Sequence, residues 1–219
     1  MSQSHNSEEI IQEALNLDGT VDKLQSFYAK WAASYDMDVA TEAYAAPTIS
    51  VDLLLKNLHQ LDQLSRPLSI LDAGCGTGLI GQILLQSDLD PTFELDGFDL
   101  SSAMVDKAAE TKAYTNLMGN INLNHPLHHL FKNQYDVVFC CGVFTLGHVP
   151  PKSLKNLFDV TRSGGLVIAS TRTRYYEKSG YQTISDKFVA EGAVELVELL
   201  REAPYTSDDN SHYWVYKLM

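Results

Sequence analysis

Positive charge is what this chain of 219 residues has least of: 16 lysines and arginines stand against 28 aspartates and glutamates, a formal net charge of −12 at neutral pH. A basic footprint for phosphates is missing, so nucleic acid is not an expected partner, and an anionic membrane surface is disfavoured for the same reason. Cysteine is scarce too, with only Cys75, Cys140 and Cys141. An odd count with two neighbours is no disulfide framework, and the spacing is not that of metal ligands. A reducing compartment, the cytoplasm, is the expected location. The first residues, MSQSHNSEEIIQEALNL, lack a basic stretch before an apolar core and so do not read as a secretory signal. No apolar run is long enough to span a bilayer. Repeats and low-complexity linkers are also absent, so one compact unit is expected, with residues 1–66 as an N-terminal helical part and 67–219 as the main domain.

What is there begins with helical spacing. Residues 1–8 are polar and expected to fray. Ile10, Ile11, Ala14 and Leu15 recur at helical intervals. Leu24, Phe27, Tyr28, Trp31 and Tyr35 form the stripe of a second helix, and a third is predicted from about Pro47 to Leu61. From Leu68 the pattern changes to strands alternating with helices. Strands are predicted over Leu68–Ala73, Thr92–Phe98, Ala113–Met118, Tyr135–Cys141, Gly164–Thr171 and His212–Leu218. Ala193–Arg201 has helical composition at a strand's place in the order. The alternation means βαβ units, an α/β fold with a doubly wound, mostly parallel sheet, and ligands in such sheets sit at the carboxyl ends of the strands.

Ile70-Leu71-Asp72-Ala73-Gly74-Cys75-Gly76-Thr77-Gly78 reads as strand, tight turn and helix start. Its glycines let a ligand approach the backbone closely. Gly76-Thr77-Gly78-Leu79-Ile80-Gly81 fits GxGxxG, and Asp99 follows about 20 residues on, which alone would suit a dinucleotide. Asp72 argues otherwise. An acid at the strand end repels a phosphate and attracts a cation, by about 4 kcal/mol at 4 Å in an intermediate dielectric before desolvation.

ILDAGCGTG, then GFDLSSAMVDKAA, then YDVVFCCGVFTLGHV together resemble a class I S-adenosylmethionine-dependent methyltransferase over roughly Tyr28–Thr171. The segment FYAKWAASYD resembles the methyltransferase-like family encoded in the Williams–Beuren region. The resemblance implies a seven-stranded Rossmann-like sheet with its last strands antiparallel and the N-terminal helices as a lid. It implies S-adenosylmethionine as cofactor and S-adenosylhomocysteine as product. Asp72, Ala73, Gly74, Gly76 and Gly78 would hold the methionine part, and Asp99 both ribose hydroxyls. Leu100 and Met104 would flank the adenine, with Asn120 and Ile121 at its amine, where relatives commonly carry an acid. Cys141 and Gly142 would pass beside the sulfonium, and Tyr35 would lie over the cofactor. Bland roles stay open: Asp99 as a helix cap, Met104 and Tyr35 as core.

Methyl transfer needs a placed acceptor, exclusion of water and sometimes a base. His148 is the candidate base by position and by a pKa near neutrality, although a histidine there also suits plain packing. Tyr28, Phe144, Arg172, Tyr175 and Tyr176 are candidate substrate contacts, Arg172 as a clamp for an anionic group; Arg174 and Tyr181 extend that cluster. His125, His128 and His129 lack well-spaced acids, so no metal is expected. The fourth strand ends in CCGVFTL, without an Asn/Asp-Pro-Pro-aromatic or Pro-Cys motif, which argues against adenine, glutamine or cytosine methylation. A small-molecule acceptor, an oxygen nucleophile, is expected. The other readings are an NAD-dependent oxidoreductase using GTGLIG and a non-catalytic interaction module.

Overall fold

Seven strands form one sheet in the order β3-β2-β1-β4-β5-β7-β6. The computed structural model describes residues 7–62, 67–89, 92–131 and 135–219. The N-terminal part holds α1 (Ser7–Leu15), α2 (Val21–Trp31), α3 (Tyr35–Thr41) and α4 (Ala46–Asn57), the last running into a 3-10 turn. Then follow β1 (Leu68–Ala73), α5 (Leu79–Gln86), β2 (Phe93–Phe98), α6 (Ser102–Glu110), β3 (Asn116–Met118) and β4 (Tyr135–Phe144). The chain ends with α7 (Leu154–Phe158), β5 (Thr161–Arg172), α8 (Thr173–Ser179), α9 (Tyr181–Ala190), β6 (Val194–Pro204) and β7 (Asn210–Leu218). Of the residues expected to fray, 1–6 lie outside the described residues.

The first five strands run parallel, and β7 pairs antiparallel with both β5 and β6. Both sheet faces are covered, which explains the unbroken apolar run of β4. Val137 and Phe139 pack on one face with Leu54, Ile80 and Leu84 of α4 and α5. Val138 and Cys140 pack on the other with Leu154, Leu157 and Tyr181. Side chains alternate across the pleat, so a single strand feeds two cores.

Two elements differ from the sequence expectation, and a third, open between helix and strand, is a strand. The aromatic stripe does not stay on one helix, because α2 ends at Trp31 and Tyr35 opens α3. The stretch over 194–204 is a strand despite its helical composition, because hydrogen bonding along β7 overrides propensity. Strand β4 runs past Cys141 to Phe144 through a register shift between Cys140 and Phe144. That bulge carries Gly142 at φ +75°, a conformation that costs other L-residues strain.

The N-terminal helices are bound to this frame. Asp38, buried on α3, accepts the Trp31 indole N–H at 2.8 Å and the Ser34 hydroxyl at 2.9 Å. The Thr77 hydroxyl of the glycine turn donates to Asp36 at 2.5 Å. The link between α1 and α2 crosses the loop after β4 so closely that a Cβ on Gly147 would lie 1.8 Å from the Leu17 carbonyl oxygen, at a φ of +75°. Gly147→Ala is therefore expected to push the N-terminal helices off this loop. The measurement is hydrogen exchange, where the amides of α2 should lose at least ten-fold in protection while those of β4 keep theirs. Unchanged α2 protection would mean that the contact does not hold the segment.

Candidate active site

The carboxyl ends of β1, β2 and β4 lie side by side in register, Asp72 beside Gly97 and Ala73 beside Phe98. They open into a cavity of about 830 Å³ counted with its mouth. Its floor is Gly74, Gly76, Asp99, Cys141 and Gly142. Leu100, Met104, Ile121 and Asn122 form one wall, and Gly19, Val21, Leu24, Tyr28 and Tyr35 close it from the N-terminal helices.

Asp99 is fixed before any ligand arrives. One carboxylate oxygen accepts the Gly76 N–H at 3.0 Å and the other the Ser101 N–H at 2.8 Å. Burial pushes its pKa up, and these backbone donors oppose the rise. The hydroxyl of Ser101, not Asp99, caps α6 by accepting the Met104 N–H. Each Asp99 oxygen keeps a lone pair for a hydroxyl in the cavity.

Asp72 faces an adjoining recess that shares Tyr35, Gly74, Gly76 and Cys141 with the main cavity. It is buried at 1% exposure, and the Tyr114 hydroxyl donates to it at 2.7 Å. Burial raises its pKa to about 7, Tyr114 works against that, and the charge of Asp99 adds to it. A buried carboxyl held this way gains from a cation placed in the recess.

A second chamber, of about 480 Å³ counted with its mouth, meets the first along Tyr28, Tyr35, Gly142 and His148. Beyond that border it is lined by Trp31, Glu42, Tyr44, Arg172, Tyr205 and Thr206, among others. His148 has a fixed tautomer. Its Nδ1 lies 3.0 Å from the Leu146 carbonyl, which only accepts, so Nδ1 carries the proton. Nε2 is then a lone pair, and the Tyr28 hydroxyl donates to it at 2.8 Å. Burial lowers the His148 pKa, the Leu146 carbonyl opposes this, and the charge of Arg172 lowers it further.

The other residues singled out from sequence fall elsewhere. Ala73 is core, and Gly78 caps α5 against Ala108. Asn120 does not line the cavity, and its side-chain oxygen accepts from Gln25 of α2 at 3.2 Å, leaving Ile121 and Asn122 as the wall. Phe144 points away from the cavity, because the bulge turns Val143 toward the glycine turn and Phe144 into the core against Tyr181. Tyr175 is buried with its hydroxyl on the Val149 carbonyl at 2.7 Å, and Tyr176 packs on His212 with ring centroids 4.2 Å apart. Arg172 lines the second chamber, ion-paired with Asp209. Sequence reasoning missed Asn122, Tyr44, Tyr205 and Asp209. The polar turn NINLN after β3 was a signal for Asn122; the other three had none. Among the described residues, no group of three or more histidines, cysteines, aspartates or glutamates is placed to hold a metal ion, and no helix is long and apolar enough to cross a membrane.

The residues fit S-adenosylmethionine as a ligand. Gly76 faces open space where any side chain would enter the cavity, a fixed acid stands at the end of β2, and a second acid lies in a recess suited to positive charge.

Residues 71–167 match a family model described as a methyltransferase domain. The human protein "Methyltransferase-like protein 27" is 36% identical over 152 residues, which cover 67% of this chain and 57% of that relative. Among solved structures, magnesium protoporphyrin IX methyltransferase from Synechocystis PCC 6803, with bound SAH, superposes with a TM-score of 0.56 at 17% identity, covering 79% of this chain and 83% of that one. An S-adenosylmethionine-dependent methyltransferase from Clostridium acetobutylicum gives 0.57 at 14% identity, covering 77% and 90%. At such identities the structures speak to the fold.

Proposed function

We propose that this chain, which carries a methyltransferase domain over residues 71–167, is a class I S-adenosylmethionine-dependent methyltransferase and that it methylates the oxygen of a small molecule held in the second chamber. The observation that carries this reading is that Tyr28, Tyr35, Gly142 and His148 line both chambers. When bound, S-adenosylmethionine supplies an electrophilic methyl group on a sulfonium. Asp99 would hold the ribose hydroxyls, Asp72 the positively charged methionine end, and Leu100 and Met104 the adenine. Arrival of macromolecules is opposed by the roof of α1–α3, which supports a small acceptor and a lid role for the N-terminal helices. The free state of Cys75, Cys140 and Cys141 supports a reducing, cytoplasmic setting.

The chain's own contribution is placement and a proton path. An acceptor hydroxyl at the border gives its proton to the Tyr28 oxygen, and the Tyr28 proton passes to Nε2 of His148. The Leu146 carbonyl holds the ring through Nδ1 in the orientation this needs. A positioned base contributes about 10²–10⁴ in rate.

Calorimetry is the test of the cofactor: S-adenosylhomocysteine should bind and NADH should not. The reverse result would replace this reading with the oxidoreductase. His148→Ala should lower kcat about 100-fold on an oxygen acceptor found by screening, with S-adenosylhomocysteine affinity kept within three-fold. The pH profile follows from the sign of the shift. The base must be neutral, and its pKa lies below the ordinary 6.5. So kcat should be flat above about pH 6.5 and fall only below it; an acid limb centred above 7 would rule His148 out.

A further inference from the structure

Resting on that reading, we propose that the acceptor is a small hydroxy acid, its carboxylate held by Arg172 and the Tyr205 hydroxyl while its hydroxyl reacts at Tyr28 and His148. The lining residues divide in a way that supports two separate recognition points. Tyr28 and His148 border both chambers, whereas Arg172 and Tyr205 line only the second. A ligand reaching from the border inward therefore meets the proton acceptor first and the guanidinium further in.

The inner group is built to present donors. Arg172 binds Asp209 through Nε, at 2.8 Å, and through Nη2, both to the same carboxylate oxygen, and Nη1 takes no part in that pair. The other Asp209 oxygen accepts the Asn210 N–H at 2.9 Å. The guanidinium carbon lies 4.8 Å over the Tyr205 ring. The Tyr205 hydroxyl turns toward the border, since a Cβ on Gly142 would lie 3.4 Å from it and 2.5 Å from the Tyr44 hydroxyl. With the Tyr44 hydroxyl donating to the Tyr205 oxygen, the Tyr205 O–H and a guanidinium edge are the donors left on the lining of this aromatic chamber. Donors of this kind, away from bulk water, suit an anionic oxygen group. Glu42, half-buried at the end of α3, is the opposing charge on the same lining.

The two recognition points together narrow the class. A plain carboxylate acceptor would leave the Tyr28–His148 pair idle, because it has no proton to lose. A neutral alcohol would leave Arg172 idle. A hydroxy acid uses both, and its carboxylate is the handle rather than the methylated group. The remaining role for Arg172 is a staple of the β6–β7 turn onto β5, and the test must separate the two.

The probes are 4-hydroxybenzoate, 4-hydroxybenzamide and 4-hydroxybenzylamine, titrated by calorimetry into protein saturated with S-adenosylhomocysteine. The acid should bind at least ten-fold more tightly than the amide, and the amine should give no measurable binding. Asp209→Asn removes the charge that competes for Arg172 and should tighten the acid several-fold while leaving the amide unchanged, a gain that a mere staple does not produce. Arg172→Gln should make acid and amide equal. If that variant does not fold, the ranking on the unmodified chain and the Asp209→Asn result decide. Amide or amine binding as well as the acid overturns the proposal, as does binding of none of the three, or an acid affinity that Asp209→Asn leaves unchanged or weakens. Failure of S-adenosylhomocysteine itself to bind is a separate outcome, which overturns the methyl-transfer reading before any probe is added.

Discussion

Asp99→Ala is expected to weaken S-adenosylhomocysteine binding by about 100-fold or more. The carboxylate serves two purposes at once. It pins the glycine turn through the Gly76 N–H and the start of α6 through the Ser101 N–H. It also offers both oxygens to hydroxyls in the cavity. A hydrogen bond to a charged group is worth about 1.5–3 kcal/mol, so losing two on a ligand removes roughly 3–6 kcal/mol, and a loosened turn adds to that. Calorimetry reads the affinity directly. The melting temperature of the ligand-free variant reports the turn separately. Affinity within three-fold of the parent would remove Asp99 from the cofactor site.

Asp72→Asn should move stability and binding in opposite directions. In the folded chain, burial holds the Asp72 pKa at about 7, against 3.8 for an ordinary aspartate. Below pH 3.8 the carboxyl is neutral in both states and no penalty exists. As pH rises, the unfolded chain ionises first, so the folded state loses about 1.4 kcal/mol per pH unit until the folded group ionises near 7. The accumulated cost is of order 4 kcal/mol, and asparagine avoids it while its side-chain oxygen can still accept from Tyr114. The ligand-free variant should therefore melt about 8–16 °C higher than the parent at pH 8 and equal to it at pH 4. Its affinity for S-adenosylhomocysteine, which carries an ammonium, should fall about 10- to 100-fold. A lower melting temperature at pH 8 would show that the Asp72 charge stabilises the empty fold.

The cofactor half of the molecule was legible in the sequence because its signals are local. The glycines follow Asp72 within six positions, and Asp99 closes the very next strand, so each signal can be read from its own short segment. Parallel topology then brings the strand ends together. The second chamber was not legible, because its contacts are distant in sequence. Arg172 meets Asp209 where β5 pairs with β7, 37 positions apart in the chain, and local sequence pattern does not specify which strands become neighbours. Phe144 was misplaced for a different reason. The strand was expected to end at Cys141 with Phe144 in the loop beyond, but β4 continues through the bulge at Gly142 and buries Phe144 in the core. Tyr35 was assigned to the wrong helix, yet it reaches the cavity, because the turn after Trp31 keeps it stacked edge-on at 4.7 Å from that indole.

The β6–β7 turn has a consequence for how this chain can change. Because β7 runs against β5, the turn at 205–209 lands beside the carboxyl ends of the parallel strands. Tyr205 and Thr206 donate their backbone N–H groups to the Asp209 carbonyl there. The Tyr205 carbonyl accepts from Ala45, and the Ser207 N–H donates to the Glu42 carbonyl. The two extremities of the polypeptide are thereby sewn together over the middle portion that carries the glycine turn and Asp99. Most of the second chamber's wall belongs to those extremities, which lie outside residues 71–167. If the second chamber holds the acceptor as proposed, acceptor choice can drift by exchange of a five-residue turn and a few helical positions, while the strand ends beneath stay constant.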